Sequence, residues 1–104
     1  MTKYSVIIGK LAERDIFEAV SYIREFLFQP ESALRIYRSI KACIMSLSEM
    51  PERFAVISEE PYSSMGVRKV AAENYLIFYL INEKEKTVSI IRVLYNRREW
   101  HNLI

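Results

Sequence analysis

Apolar positions along this chain fall into two kinds of period. From residue 10 to about 28, Ala12, Ile16, Ala19, Val20, Ile23 and Leu27 recur every three or four positions. Glu13, Asp15, Glu18, Arg24 and Glu25 fall largely off that stripe. The spacing predicts one amphipathic helix. A second is predicted from about Pro30 to Ser48, where Ala33, Tyr37, Ile40, Ile44 and Leu47 step by 4, 3, 4 and 3. Pro30 ends the first helix and suits the first turn of the second, and Glu31 beside it suits the positive end of the helix dipole. So short a link predicts an antiparallel helical hairpin. Met50 and Pro51 end it.

Downstream the period shortens. Residues 75–81 and 88–95 are rich in β-branched and aromatic side chains and flank a polar NEKEKT turn at 82–87, which predicts two strands joined as a hairpin. Residues 67–72 make a further strand that closes on a tight turn at Glu73 and Asn74. KYSVII at 3–8 makes a short opening strand, broken by Gly9 and Lys10. Residues 52–66, punctuated by Pro61 and Gly66, are the longest irregular stretch and the expected mobile piece. Residues 97–104 begin polar and end apolar at Trp100, Leu103 and Ile104, as a brief C-terminal helix or an ordered tail. The order is β-α-α-β-β-β. Grouped helices and grouped strands predict an α+β fold, an antiparallel sheet with the N-terminal helical hairpin packed on one face. The long strands are apolar on both sides, with Tyr75, Ile77, Tyr79 and Ile81 on one face of the middle strand and Leu76, Phe78 and Leu80 on the other. The second face is therefore expected to be covered by the tail or by a partner.

Composition narrows the function classes. A chain of 104 residues, 51% apolar and 27% charged, predicts one domain over 1–104 with no disordered segment. No apolar run approaches the roughly 18 residues needed to span a bilayer. MTKYSVIIGK has neither the apolar length nor the cleavage site of a secretion signal. Cys43 is the single cysteine, which fits a reducing cytoplasm and an inert core thiol. One cysteine, one histidine and two glycines give neither metal-ligand spacing nor a phosphate loop, so no cofactor and no metal are expected. The net charge of +2 is too small to imply a nucleic-acid partner. Its placement matters more: Arg68 and Lys69 precede the two long strands, and Arg92, Arg97 and Arg98 lie at or just past their end.

Three stretches carry a family resemblance: AERDIFEAVSYI (12–23), MSLSEMPERF (45–54), and GVRKVAAENYLIFYLINEKEKTVSIIRVLYNRREW (66–100), the most specific of them. In order and spacing the chain resembles the RelE/ParE toxins of bacterial type II toxin–antitoxin systems, also called plasmid stabilisation proteins. The resemblance implies the same β-α-α-β-β-β fold. It implies growth inhibition by the free toxin and silencing by a cognate antitoxin whose C-terminal segment wraps it. It leaves two mechanisms: ParE-like members inhibit DNA gyrase, and RelE-like members cut mRNA on the ribosome.

Metal-free RNA cleavage needs a base for the 2′-hydroxyl, cations for the phosphate and an acid for the leaving oxygen. For a nuclease the catalytic candidates are Arg68, Arg92, Tyr95 and Arg97, with Glu99 and His101 as further proton carriers. Lys69, Arg98 and His101 are the target-binding candidates. Arg92, inside an apolar strand, has a structural alternative as the ion-pair partner of Glu13, Asp15 or Glu73. Two positions depart from the ribosome-dependent pattern: Leu76 stands where those members commonly carry an arginine, and Leu94 precedes Tyr95 where some carry a histidine. Both departures lean the reading toward DNA gyrase, with the RelE-like mRNA endonuclease as the alternative.

Overall fold

The computed structural model describes residues 3–104. Strands β1 (Ser5–Ile8), β2 (Arg68–Ala72), β3 (Tyr75–Asn82) and β4 (Thr87–Tyr95) form one open sheet in the order β1-β4-β3-β2. β2, β3 and β4 make an antiparallel meander, as their pattern predicts. β1 differs, pairing with β4 in parallel, with Val6 opposite Val88 and Ile8 opposite Ile90. A parallel neighbour needs a long crossover, and the rest of the chain between the two strands supplies it.

Helix α1 (Lys10–Ser21) continues as a π-helical turn over Tyr22–Phe26, and α2 (Pro30–Ser46) runs back beside it. Gly9 joins β1 to α1. Its N–H donates to the Ile90 carbonyl at 2.9 Å, and a Cβ there would lie 3.0 Å from that oxygen. A side chain there would crowd the β4 backbone, which would have to give by a few tenths of an ångström. Ala12, Ile40, Ile44 and Leu47 bury the predicted helix stripes against Val70, Ala72, Ile77, Tyr79, Val88, Ile90 and Val93 of the sheet. Tyr37, placed in the α2 seam by its spacing, sits at the margin and is exposed.

The alternation along β4 changes phase once. Phe78 pairs with Arg92 and Tyr79 with Ile90, which leaves Ile91 as the extra residue of a β-bulge. Val88 and Ile90 before the bulge and Val93 after it all reach the helix-side core. Ile91 and Leu94 pack on the opposite face. A strict period of two would have put Ile90 and Arg92 on the same side.

That opposite face is covered by the chain's own tail. Trp100, 7% exposed, rests on Phe78 with ring centroids 5.1 Å apart, and Ile57, Val67 and Leu94 complete the cluster. Residues 97–104 form turns rather than a helix. Residues 52–66, expected to be mobile, are tied down in several places. Pro51–Arg53 is a 3-10 turn, Ile57 N–H donates to the Val67 carbonyl at 2.9 Å, and Tyr62–Met65 forms the short helix α3.

Candidate functional site

The geometry around the basic residues starts where β1 ends. β1 pairs with β4 only as far as Ile90, so the next stretch of β4 has an open edge. α1 crosses that edge and presents Asp15. One carboxylate oxygen of Asp15 accepts the Val93 backbone N–H at 3.0 Å and Arg92 Nε–H at 2.7 Å, and the other accepts Arg92 Nη2 at 2.9 Å. Asp15 thus replaces the missing strand neighbour and forms a bidentate ion pair. Both side chains are largely buried, 14% exposed for Arg92 and 7% for Asp15. Arg92 Nη1 donates to the Leu103 carbonyl and so joins α1, β4 and the tail. Of the acidic partners open to Arg92 by sequence, Asp15 is the one it takes. Glu73 pairs instead with Arg35 at 2.6 Å and Ser39 at 2.9 Å, tying α2 to the β2–β3 turn; the Arg35 bond holds its carboxyl below the usual range.

Arg68 and Lys69 are neighbours in sequence but serve opposite faces of the sheet, because successive strand residues alternate. Arg68 lies opposite Tyr79 on the helix side. Its guanidinium donates to the carbonyls of Glu52, at 3.1 Å, and Phe54. The Tyr79 hydroxyl donates to the Pro51 carbonyl at 2.6 Å, and burial pushes its pKa up to about 12. Together they fasten the 3-10 turn to the sheet. Lys69 lies opposite Phe78 on the tail side, with Nζ 5.5 Å from the Trp100 ring centroid. His101 stacks on the same indole at 4.2 Å, pairs with Glu99, and has Nε2 3.6 Å from Glu59. The Glu99 hydrogen bond raises its pKa above the ordinary imidazole value, and Glu99 is lowered in return.

Tyr95 opens on a third place. It meets Tyr75 edge-on at 5.6 Å on the helix side of the sheet. The two rings wall a cavity of about 660 Å³ between the helical hairpin and the end of the sheet, whose mouth carries Glu18, Arg35 and Arg98. Burial raises the Tyr75 hydroxyl pKa. Arg97, the residue before Arg98, is exposed on the tail. Neither Arg97 nor Arg98 joins an ion pair among the described residues.

The seven candidates are therefore not one constellation. Lys69 and His101 share the tail-side face, Tyr95 and Arg98 share the cavity mouth, Arg92 is enclosed by Asp15, and Arg68 is bound to backbone carbonyls. Sequence reasoning overlooked Glu18, Arg35 and Tyr75 at the cavity. Asp15 was noted only as one acidic neighbour among three, although an acid at the margin of an apolar helix stripe is the signal that finds it. No cluster of His, Cys, Asp and Glu among the described residues could hold a metal ion. No helix among them is long and apolar enough to cross a membrane.

Comparison with known proteins bears on the family and the fold. A family model described as the ParE toxin of type II toxin–antitoxin system, parDE, matches residues 6–100. No curated protein matches the chain significantly. Among solved structures, a chain of the chromosomal ParDE toxin–antitoxin system from P. aeruginosa superposes with a TM-score of 0.73 at 21% identity, covering 91% of this chain and 98% of that one. A chain of the toxin–antitoxin complex RelBE2 from Mycobacterium tuberculosis gives 0.66 at 23% identity, with 89% and 98% covered. The archaeal RelE–RelB complex from Pyrococcus horikoshii OT3 gives 0.61 at 22% identity, with 95% and 100% covered. At these identities the structures speak for the fold.

Proposed function

The chain belongs to the ParE toxin family of type II toxin–antitoxin systems, and we propose that it arrests growth by binding DNA gyrase and is neutralised by a cognate antitoxin. The observation that carries the gyrase reading is the dispersal of its cations. A ribonuclease must bring a base, an acid and phosphate-holding cations to within hydrogen-bond reach of one phosphodiester. Here Arg92 is engaged by Asp15 and the Leu103 carbonyl, and Arg68 is held by the carbonyls of Glu52 and Phe54. Tyr95 and His101 lie on opposite sides of the sheet. Leu76 occupies the position where ribosome-dependent relatives commonly carry an arginine. This arrangement supports a binding surface, with Arg98, Lys69 and His101 around the tail as target contacts. The antitoxin half of the proposal is supported by the solved complexes of similar fold, which are themselves toxin–antitoxin assemblies.

The test is induction of the chain from a tight promoter without an antitoxin. Trapped gyrase–DNA cleavage complexes with intact mRNA are expected, and Arg98→Ala is expected to weaken them while the protein stays folded. New codon-phased mRNA 3′ ends without trapped gyrase would overturn the gyrase reading in favour of a ribosome-dependent nuclease using Tyr95 and Arg97. Normal growth with neither signal would refute toxicity for this member.

A further inference from the structure

The cavity behind Tyr75 and Tyr95 has features that a gap between helices and sheet does not need. Its volume of about 660 Å³ falls within the range of about 300–1,000 Å³ common to small-molecule sites. Three tyrosine rings line it. Tyr75 and Tyr95 meet edge-on, and Tyr22, on the helical side, is held by stacking on Phe26 at 5.5 Å. Gln29 and Ser32 add an amide and a hydroxyl to the lining. The backbone is irregular there too. Tyr22–Phe26 is the π-helical turn, closed by Leu27 N–H on the Tyr22 carbonyl at 3.2 Å, and Phe28 follows at a φ of 53°, a left-handed conformation that bulky residues avoid. π-Helical turns appended to α-helices are frequent at functional sites, and this one places Tyr22 and Ile23 in the cavity wall.

Charge at the cavity is balanced rather than one-sided. Asp15, Glu18, Arg35 and Arg98 line it. Two of these are committed, Asp15 to Arg92 at 2.7 Å and Arg35 to Glu73 at 2.6 Å. Glu18 and Arg98 join no ion pair among the described residues, with each other included. The mouth therefore offers one open anion and one open cation, with no net charge between them. A phosphate or a stretch of nucleic acid, negative throughout, gains little from such a rim. A molecule carrying both an ammonium and a carboxylate matches both groups. The tyrosine rings favour a flat aromatic body, by stacking or edge-on contact.

From these two uncommitted charges on one aromatic-walled mouth we infer that the Tyr75–Tyr95 cavity binds a small zwitterion with an aromatic body, an aromatic amino acid or a dipeptide that contains one. The ligand's carboxylate meets Arg98, its ammonium meets Glu18, and its ring lies among Tyr22, Tyr75 and Tyr95. An aromatic side chain within a partner protein is disfavoured as occupant, because inside a chain it brings neither the ammonium nor the carboxylate. The inference does not rest on the gyrase reading. Its assay contains no gyrase, so failure of either leaves the other standing.

The experiment titrates the full-length protein by calorimetry with L-tryptophan and with the dipeptide phenylalanyl-alanine, which separate a free amino acid from a short peptide. Saturable binding of at least one of them, at one site per chain, is expected. Arg98→Gln and Glu18→Gln should each weaken it by about tenfold, the loss of one hydrogen bond to a charged group. Both positions are exposed, so folding is not at stake, and circular dichroism checks that it is kept. Two truncated ligands assign the ends. Tryptamine, which lacks the carboxylate, should bind more weakly than L-tryptophan and be indifferent to Arg98→Gln. Indole-3-propionate, which lacks the ammonium, should be indifferent to Glu18→Gln. Absence of saturable binding by both zwitterions at about 10 mM, weaker than a specific site of this size needs, would overturn the proposal. So would zwitterion binding that neither variant weakens, or N-acetyl-tryptophanamide binding as tightly as L-tryptophan, the mark of a site for a protein side chain. Tighter binding of adenosine monophosphate than of either zwitterion would also overturn it.

Discussion

Replacing Asp15 should destabilise this fold more than any other single loss of charge. The carboxylate satisfies three donors: Arg92 Nε–H, Arg92 Nη2–H and the Val93 amide of the open β4 edge. Asp15→Ala leaves a guanidinium that is 14% exposed without its counter-charge, and a strand amide without an acceptor. Removing one partner of a buried pair costs about 3–5 kcal/mol. Against a total of about 5–15 kcal/mol for a domain this size, that is a large fraction. With a urea m-value of about 1.5 kcal/mol/M, the midpoint should fall by about 2–3 M. Asp15→Asn keeps the volume and one acceptor oxygen but removes the charge, and should lie between the two. Arg92→Ala removes the charge at the other end and also releases the Leu103 carbonyl. The double variant Asp15→Ala/Arg92→Ala should therefore recover part of the sum, with a coupling of about 2 kcal/mol. Urea unfolding followed by Trp100 fluorescence reads the parent and all four variants. An Asp15→Asn midpoint equal to that of the parent, or strict additivity in the cycle, would refute the claim that this pair joins α1 to the open edge of β4.

Trp100→Ala should cost about 3 kcal/mol, the usual loss for truncating a buried aromatic, and thermal unfolding by circular dichroism checks it. Tyr79→Phe removes the bond to the Pro51 carbonyl at 2.6 Å and should cost about 1–2 kcal/mol. The same hydroxyl, with its pKa pushed up to about 12 by burial, should be missing from an absorbance titration run to pH 11, and a full complement of ionised tyrosines there would contradict its burial. His101 has its folded pKa raised by Glu99. Its contribution is therefore complete below the unfolded value of about 6.5 and is lost as pH rises through the higher folded value. His101→Gln should remove that part of the pH dependence, in a manner that 0.5 M salt also weakens, since the contact is exposed. Glu73 runs the other way: its carboxyl is lowered by Arg35, so its contribution holds above the unfolded value near 4.3 and fades as pH falls through the folded one. Glu73→Gln should flatten the acid limb of stability measured between pH 3 and 5.

The elements were legible because each rests on a local cause. The 4, 3, 4, 3 steps of α2, the first-turn Pro30 and the polar turn between the long strands act within a few residues of themselves. The misses have non-local causes. β1 joins in parallel because the crossover brings it back beside β4, and nothing in KYSVII encodes that neighbour. The bulge at Ile91 was hidden because a run apolar on both sides carries no phase to break. The tail was recognised as one of two covers for the second face, but the aromatic seating of Trp100 on Phe78 depends on a contact across the sheet.

The candidate site was less legible for a related reason, and one part of it could have been read in advance. Whether Arg92 faces a phosphate or a carboxylate is decided by a residue 77 positions away, and spacing holds no record of that. Strand parity, by contrast, is local. Arg68 and Lys69 are consecutive in β2, so one must face the helices and the other the tail. Two consecutive strand residues cannot converge on one phosphodiester from opposite faces of a sheet. The pairing of Arg68 with Tyr79 and of Lys69 with Phe78 is that rule in place. A cationic cluster counted along the sequence becomes, once the strand is recognised, two separate surfaces. That separation weighs toward contact with a large target rather than chemistry at a single phosphate.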